Sequence, residues 1–159
     1  MYAAPLTEAV RLERKRCYYD AYHQALKQLL AEKKQRFSKV YFLDLHSYGM
    51  DTGSDAIIGT QFGQTCSAAY STALRTLLEQ EGLRVAENQP FAGGYLTKHY
   101  GADAQIEAAQ IELSYAYYID HRTFGREAFP EICPAVFADA QQHLQSFFKN
   151  LLKEQITCH

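Results

Sequence analysis

Three short stretches of this chain carry residues able to do chemistry. Val40 to Gly49 (VYFLDLHSYG) runs from apolar residues into Asp44, His46 and Ser47 and breaks at a glycine. Asp44 and His46 are two apart, so on a strand they share a face, and the carboxylate can hold an imidazole that binds a metal or moves a proton. His46 alone also reads as a hydrogen-bonded histidine at a strand end, because metal ligands come in clusters. Glu112 sits between Ile111 and Leu113 in AAQIELSYAYY, where a carboxylate is costly to bury unless it is paired, metal-bound or used as an acid or base. Asn88 to Gly101 sets Gly93 and Gly94 ahead of Tyr95, Lys98, His99 and Tyr100. Paired glycines let a backbone approach a ligand closely, and a lysine or histidine beside them can bind a carboxylate; a hairpin or Ω-loop with polar decoration fits the same residues. A histidine that binds a metal and a separate glutamate that activates water are the minimum for metal-assisted hydrolysis of an amide. Neither HExxH nor a Cys/His cluster is present.

The elements around these residues read as an alternation of helices and strands. A long helix is expected from Thr7 to Phe37, with Pro5 and Thr7 at its start and Tyr18, Tyr22, Ala25, Leu26, Leu29 and Leu30 as its apolar stripe. His23, beside that stripe, reads as a packing or capping residue. Val40 to Gly49 is the central strand, followed by a loop from Tyr48 to Ser54 and a short strand from Asp55 to Thr60. A second helix is expected from Gln64 to Gln80, with Ala69, Ala73, Leu74, Leu77 and Leu78 inward and Gly82 as its C-cap. Leu83 to Glu87 reads as a strand, Asp103 to Ala109 as a helical turn or bridge, and Ala108 to Tyr118 as a strand. Pro130 and Pro134 frame a last helix to about Lys153, with Val136, Phe137, Ala140, Leu144, Phe147, Phe148, Leu151 and Leu152 on its inner face. In such an α/β arrangement ligands bind beyond the carboxyl ends of the strands, where Asp44 and His46 stand.

At 159 residues with 47% hydrophobic composition, the chain is long enough for a single domain with a real core. A net charge of −2 gives no electrostatic case for nucleic acid or an anionic membrane. Nine of the sixteen Lys and Arg residues fall before position 40, which fits a solvated helix face. Cys17, Cys66, Cys133 and Cys158 show no CxxC pairing, which argues against a disulfide scaffold or a thiolate zinc knuckle and for a reducing compartment. With no apolar run near the length of a membrane span and no signal-peptide pattern, the expectation is a soluble, cytoplasmic protein.

Taken together the motifs resemble the N-formylglutamate amidohydrolases, within the wider zinc carboxypeptidase-like superfamily. The resemblance rests on YYDAYHQAL at Tyr18 to Leu26, FLDLHSYG at Phe42 to Gly49, DAIIGTQFGQTC at Asp55 to Cys66, ENQPFAGGYLTKHYG at Glu87 to Gly101, and QIEL followed by YYID at Gln110 to Asp120. It implies a three-layer α/β sandwich with a mostly parallel or mixed central sheet flanked by helices, and a zinc-dependent hydrolysis of N-formyl-L-glutamate to formate and glutamate in histidine breakdown. By position, His46 resembles the last of three zinc ligands, Asp44 the residue behind it, and Glu112 the glutamate that polarises water and passes its proton to the leaving amine. Lys98, His99 and Tyr100, with Gly93 and Gly94, fall where the family meets the substrate carboxylates. An arginine is common where Lys98 stands, and Ser114-Tyr115 replace the family's Asn-Arg. Family members are longer, and their first two zinc ligands, a histidine and an acidic residue, precede anything seen here. The expected domain is therefore the carboxy-terminal part of a truncated whole, residues 1–159: a fragment, a shortened homologue recruiting ligands elsewhere (His23, His99 and His121 are conceivable), or a protein without the activity. Rival readings are a metal-free module that binds an acidic ligand and a related zinc amidohydrolase or carboxypeptidase acting on another acidic N-acyl substrate. An exposed sheet edge left by truncation would favour a homo-oligomer.

Overall fold

A computed structural model describes residues 5–119 and 133–157 and divides the chain into two compact units, Met1–Val40 and Tyr41–His159. The first unit is helical: α1 (Glu8–Arg14), a π-helical segment (Lys15–Asp20) and α2 (Ala21–Arg36). Thr7 caps α1, its hydroxyl accepting from the Val10 N–H, as the sequence suggested. Of the expected apolar stripe, Leu30 is buried and Leu26 half-buried, and the rest is exposed. Tyr18, Tyr22 and Leu29 are exposed, while His23 and Leu30 are buried. Tyr22, His23, Leu29 and Leu30 all lie in α2, beyond the π-helical segment, and His23 and Leu30, seven apart, share its buried face. His23 packs its ring against Tyr19 and Tyr22, with centroids 4.3 and 5.5 Å away.

The second unit holds a four-stranded mixed sheet in the order β1-β4-β2-β3, formed by β1 (Val40–Tyr48), β4 (Ile106–Ser114), β2 (Ala56–Gly59) and β3 (Val85–Glu87). β2 runs parallel to β3 and antiparallel to β4, with Ala56 opposite Leu113, Ile57 opposite Glu112 and Gly59 opposite Gln110. Period two then divides the sheet into two faces. Ala56, Ile58, Ala109 and Ile111 pack with Tyr70, Leu74, Leu77 and Leu78 of α3 (Ala68–Gln80) and Phe147 and Leu151 of α6 (Pro134–Thr157), forming the apolar core. The opposite face carries Gln110 and Glu112 and is met by the six-residue α4 (Tyr95–Tyr100). Helices thus cover both sides of the sheet, the α/β sandwich that the sequence implied.

Three boundaries differ from the sequence reading. α3 starts at Ala68 rather than Gln64, because the residues before it are tied across the sheet: Thr65 exchanges two hydrogen bonds with Ala108, and Ser67 caps the helix. Ala69 and Ala73 accordingly do not join the core. Tyr95 to Tyr100, expected as loop, is helical because Thr97 and Tyr100 bury a common face, but six residues are too few to show a period. Tyr115–Tyr118 turns into a short helix, α5, so β4 ends at Ser114 and begins at Ile106. Phe137 and Leu152 of α6 are exposed, while Ala140, Phe147 and Leu151 form its buried seam. Pro130, His121 and Cys158 lie outside the described residues. Among the described residues, no helix is long and apolar enough to cross a membrane.

Gly59 is what lets the loop after β3 reach the sheet. A Cβ there would lie 2.4 Å from the Gly93 nitrogen and 2.8 Å from the Ala92 carbonyl carbon, both backbone atoms that cannot swing aside. Gly59→Ala is therefore expected to lower stability by about 1–3 kcal/mol, as overpacking does, measured by urea unfolding. At the other end of β2, Arg84 grips Asp55 with two guanidinium N–H groups, at 2.9 and 2.8 Å, and its backbone N–H. Hydrogen bonding to Arg84 holds the Asp55 carboxyl below its ordinary value. A depressed native value stabilises above the unfolded one, about 3.9, and that stabilisation fades as pH falls through the native value. Asp55→Asn should thus lower Tm at pH 7, with the difference from wild type closing under acid, as read by thermal scans across pH.

Candidate active site

β1 presents alternate residues to the same sheet face as Gln110 and Glu112. Phe42 lies against the Tyr100 ring at 5.6 Å and Tyr48 against Phe91 at 5.5 Å, which leaves Asp44 and His46 between them on that face. The imidazole is bracketed by two carboxylates. His46 Nε2 is 3.0 Å from Asp44 Oδ1, and His46 Nδ1 is 3.8 Å from Glu112 Oε1. Asp44 and Glu112 are buried, while the His46 side chain remains 45% exposed and so stays open to solvent.

Nε2 is thus turned toward Asp44 and Nδ1 toward Glu112. The second oxygen of Asp44, Oδ2, is buried with no hydrogen-bond partner, a desolvated acceptor inside the cluster. Burial pushes the Glu112 carboxyl up from its ordinary value; His46 and the Gln110 hydrogen bond pull it back only in part, and Asp44 adds to the rise. Such a carboxyl holds its proton more readily than a surface glutamate, the property a group needs to take a proton and give it back.

The glycine turn is bound into this cluster through Gln110. The Gly94 N–H donates to Gln110 Oε1, Gln110 Nε2 donates to Glu112 Oε1 at 2.6 Å, and Gln61 Nε2 donates to the Gly93 carbonyl. Gly93 has φ +107°, a conformation that L side chains rarely adopt. On the far side of the turn, Lys98 and His99 are exposed on α4, with the His99 ring stacked on Tyr95 at 5.2 Å. Tyr100 is buried and packs on Phe42 and His99. The structure thus brings together Asp44, His46, Glu112, Gly93 and Gly94. Lys98, His99 and Tyr100 follow on the next helix, where Tyr100 serves packing.

Gln110 and Gln61 were not singled out from the sequence. Gln110 was within reach of the argument that found Asp44 with His46: it stands two before Glu112 on a strand and must share its face. Gln61 had no such signal, since it acts from a left-handed loop position, φ +49°. Cys66 is no nucleophile, because burial pushes its thiol up to about 11.

A catalytic zinc site takes three protein ligands and a water. Nδ1 of His46 has the chemistry of one such ligand, but Asp44, His46 and Glu112 face one another, and among the described residues no three His, Cys, Asp or Glu side chains form a group that could hold a metal ion. The described donors do not fit a complete zinc site.

Known proteins place this geometry in context. The chain is 30% identical over 110 residues to an N-formylglutamate deformylase of Pseudomonas aeruginosa, covering 64% of this chain and 41% of that protein. It is 29% identical over 108 residues to the N-formylglutamate deformylase of Pseudomonas putida, covering 62% of this chain and 40% of that one. The chain therefore spans about two fifths of the length of the curated relatives it matches. The crystal structure of N-formylglutamate amidohydrolase from Ralstonia eutropha JMP134 superposes with a TM-score of 0.79 over 94% of this chain and 55% of that one, at 24% identity, and shares its fold. The family model for N-formylglutamate amidohydrolase matches residues 1–119, which include every site residue above, and the chain belongs to that family.

Proposed function

We propose that this chain carries the acid–base half of an amide hydrolase acting on an N-acyl amino acid, with N-formyl-L-glutamate as the substrate and formate and L-glutamate as products. The observation that supports this best is Glu112, a buried carboxylate with a raised proton affinity beside His46 in a site otherwise short of charge compensation. The curated relatives bear the name of this activity.

In this reading ionised Glu112 accepts a proton from water as the water oxygen bonds to the formyl carbon. It then delivers that proton to the amide nitrogen as the carbon–nitrogen bond breaks, so that formate and the free amine of glutamate leave. Asp44 orients His46, whose Nδ1 is turned toward Glu112. Lys98, at the end of the glycine turn, offers a cation for the substrate's carboxylates, as a point charge rather than a bidentate fork. No step here is routed through a metal, because the described residues do not supply the three ligands that a zinc site takes.

Two measurements test this. Formate release from N-formyl-L-glutamate should be lost in Glu112→Gln, while Tm at neutral pH should rise. A group whose native value is raised contributes stability below its unfolded value and loses it as pH climbs through the native one, so ionised Glu112 destabilises the folded chain at pH 7. The difference in Tm between variant and wild type should close below pH about 4, where Glu112 is protonated in both states. A Glu112→Gln protein that still releases formate would remove Glu112 from the chemistry. Elemental analysis after dialysis should find well under one zinc per chain; near-stoichiometric zinc that disappears in His46→Ala would instead show a complete site built with ligands from outside the described residues.

A further inference from the structure

Gln110 is the link between the glycine turn and Glu112, and its geometry allows only one orientation. It is 3% exposed, and its two polar ends are both engaged: Oε1 accepts from the Gly94 N–H, and Nε2 donates to Glu112 Oε1 at 2.6 Å. A flipped amide would set its NH₂ group against the Gly94 N–H and its carbonyl against a carboxylate oxygen, turning two hydrogen bonds into two repulsions. The turn can reach Gln110 only because Gly59, its cross-strand partner, has no side chain to hold Ala92 and Gly93 away. Gln61 closes the far side by donating to the Gly93 carbonyl, and a Cβ on Gly94 would already lie 3.0 Å from Gln110 Oε1.

We propose that Gln110 is a positioning residue that locks the Glu112 carboxylate to the glycine turn through Oε1. This rests on the reading of Glu112 as the acid–base group.

The test is Gln110→Met, which keeps the volume and removes both hydrogen bonds. The expected result is a kcat for N-formyl-L-glutamate lower by about 10- to 100-fold with KM within about twofold, the scale on which misplaced catalytic groups act. In ¹H–¹⁵N spectra the Gly94 amide resonance should move upfield in Gln110→Met and stay in place in Glu112→Gln, whose new carbonyl still accepts from Gln110. Should Gln110→Met not fold, Gln110→Leu also removes both hydrogen bonds; the Gly94 resonance should then move as in Gln110→Met while kcat falls. A Gly94 resonance that does not move in Gln110→Met overturns the link, whether or not the wild type turns over. A raised KM with unchanged kcat overturns the positioning role in favour of direct binding. A wild-type chain that releases no formate while Gly94 responds as expected overturns the acid–base reading and the catalytic role built on it, and leaves the turn-to-carboxylate link standing as structure.

Discussion

The structure around the site depends on keeping a carboxylate inside a sheet. Glu112 lies on β4 with β1 on one side and β2 on the other, so its charge has no route to bulk water except across its own face. Burying an unpaired carboxylate costs more than any single neutral hydrogen bond returns. The face answers with a neutral amide from Gln110 and an imidazole from His46, and it adds a further acid, Asp44, which works against both. The balance is incomplete, and the group is left with a raised proton affinity. A fully compensated carboxylate would make a more stable sheet and a poorer base.

How much of this was legible in the sequence varies with the length scale. Period two is exact on a strand, and it paired Asp44 with His46 and marked Glu112 as a carboxylate out of place between two apolar residues. The motif blocks carried the family and the α/β fold. What failed was phase and brevity. The buried face of α2 runs through His23 and Leu30, so Tyr22 and Leu29, read as part of the stripe, fall outside it, and Tyr18 is exposed in the π-helical segment. α4 is too short for periodicity, so Lys98, His99 and Tyr100 read as one loop although the helix sends Tyr100 to the core and leaves the other two outside. Contacts such as Gln61 to Gly93, between residues 32 apart in sequence, exist only once the sheet has brought β2 and the turn together.

Asn88 shows how the loops are held to the precision the site needs. At φ +57° it occupies the left-handed region that asparagine tolerates better than most residues, and its Oδ1 accepts from the Thr60 and Phe62 backbone N–H groups at 2.8 and 3.2 Å. One side chain thereby fixes the end of β2 against the end of β3. The Gly93–Gly94 turn, which follows within a few residues, then approaches Gly59 from a set direction. The backbone groups that would otherwise be orphaned by such irregular chain are satisfied by side chains: Asn88 for Thr60 and Phe62, Gln61 for Gly93, Gln110 for Gly94.

β4 carries a second buried glutamate, and the contrast with Glu112 argues for what each one does. Glu107 faces the opposite side of the sheet and accepts the Ser67 N–H at the start of α3, where the helix dipole favours negative charge. That bond ties the carboxylate to a backbone group at a helix start. Glu112 is met instead by a side-chain amide and a half-exposed imidazole. The same residue type on the same strand is tied to a helix start on one face and met by side-chain groups on the other. That difference comes from what stands opposite each carboxylate, Ser67 at a helix start or His46 at a strand end.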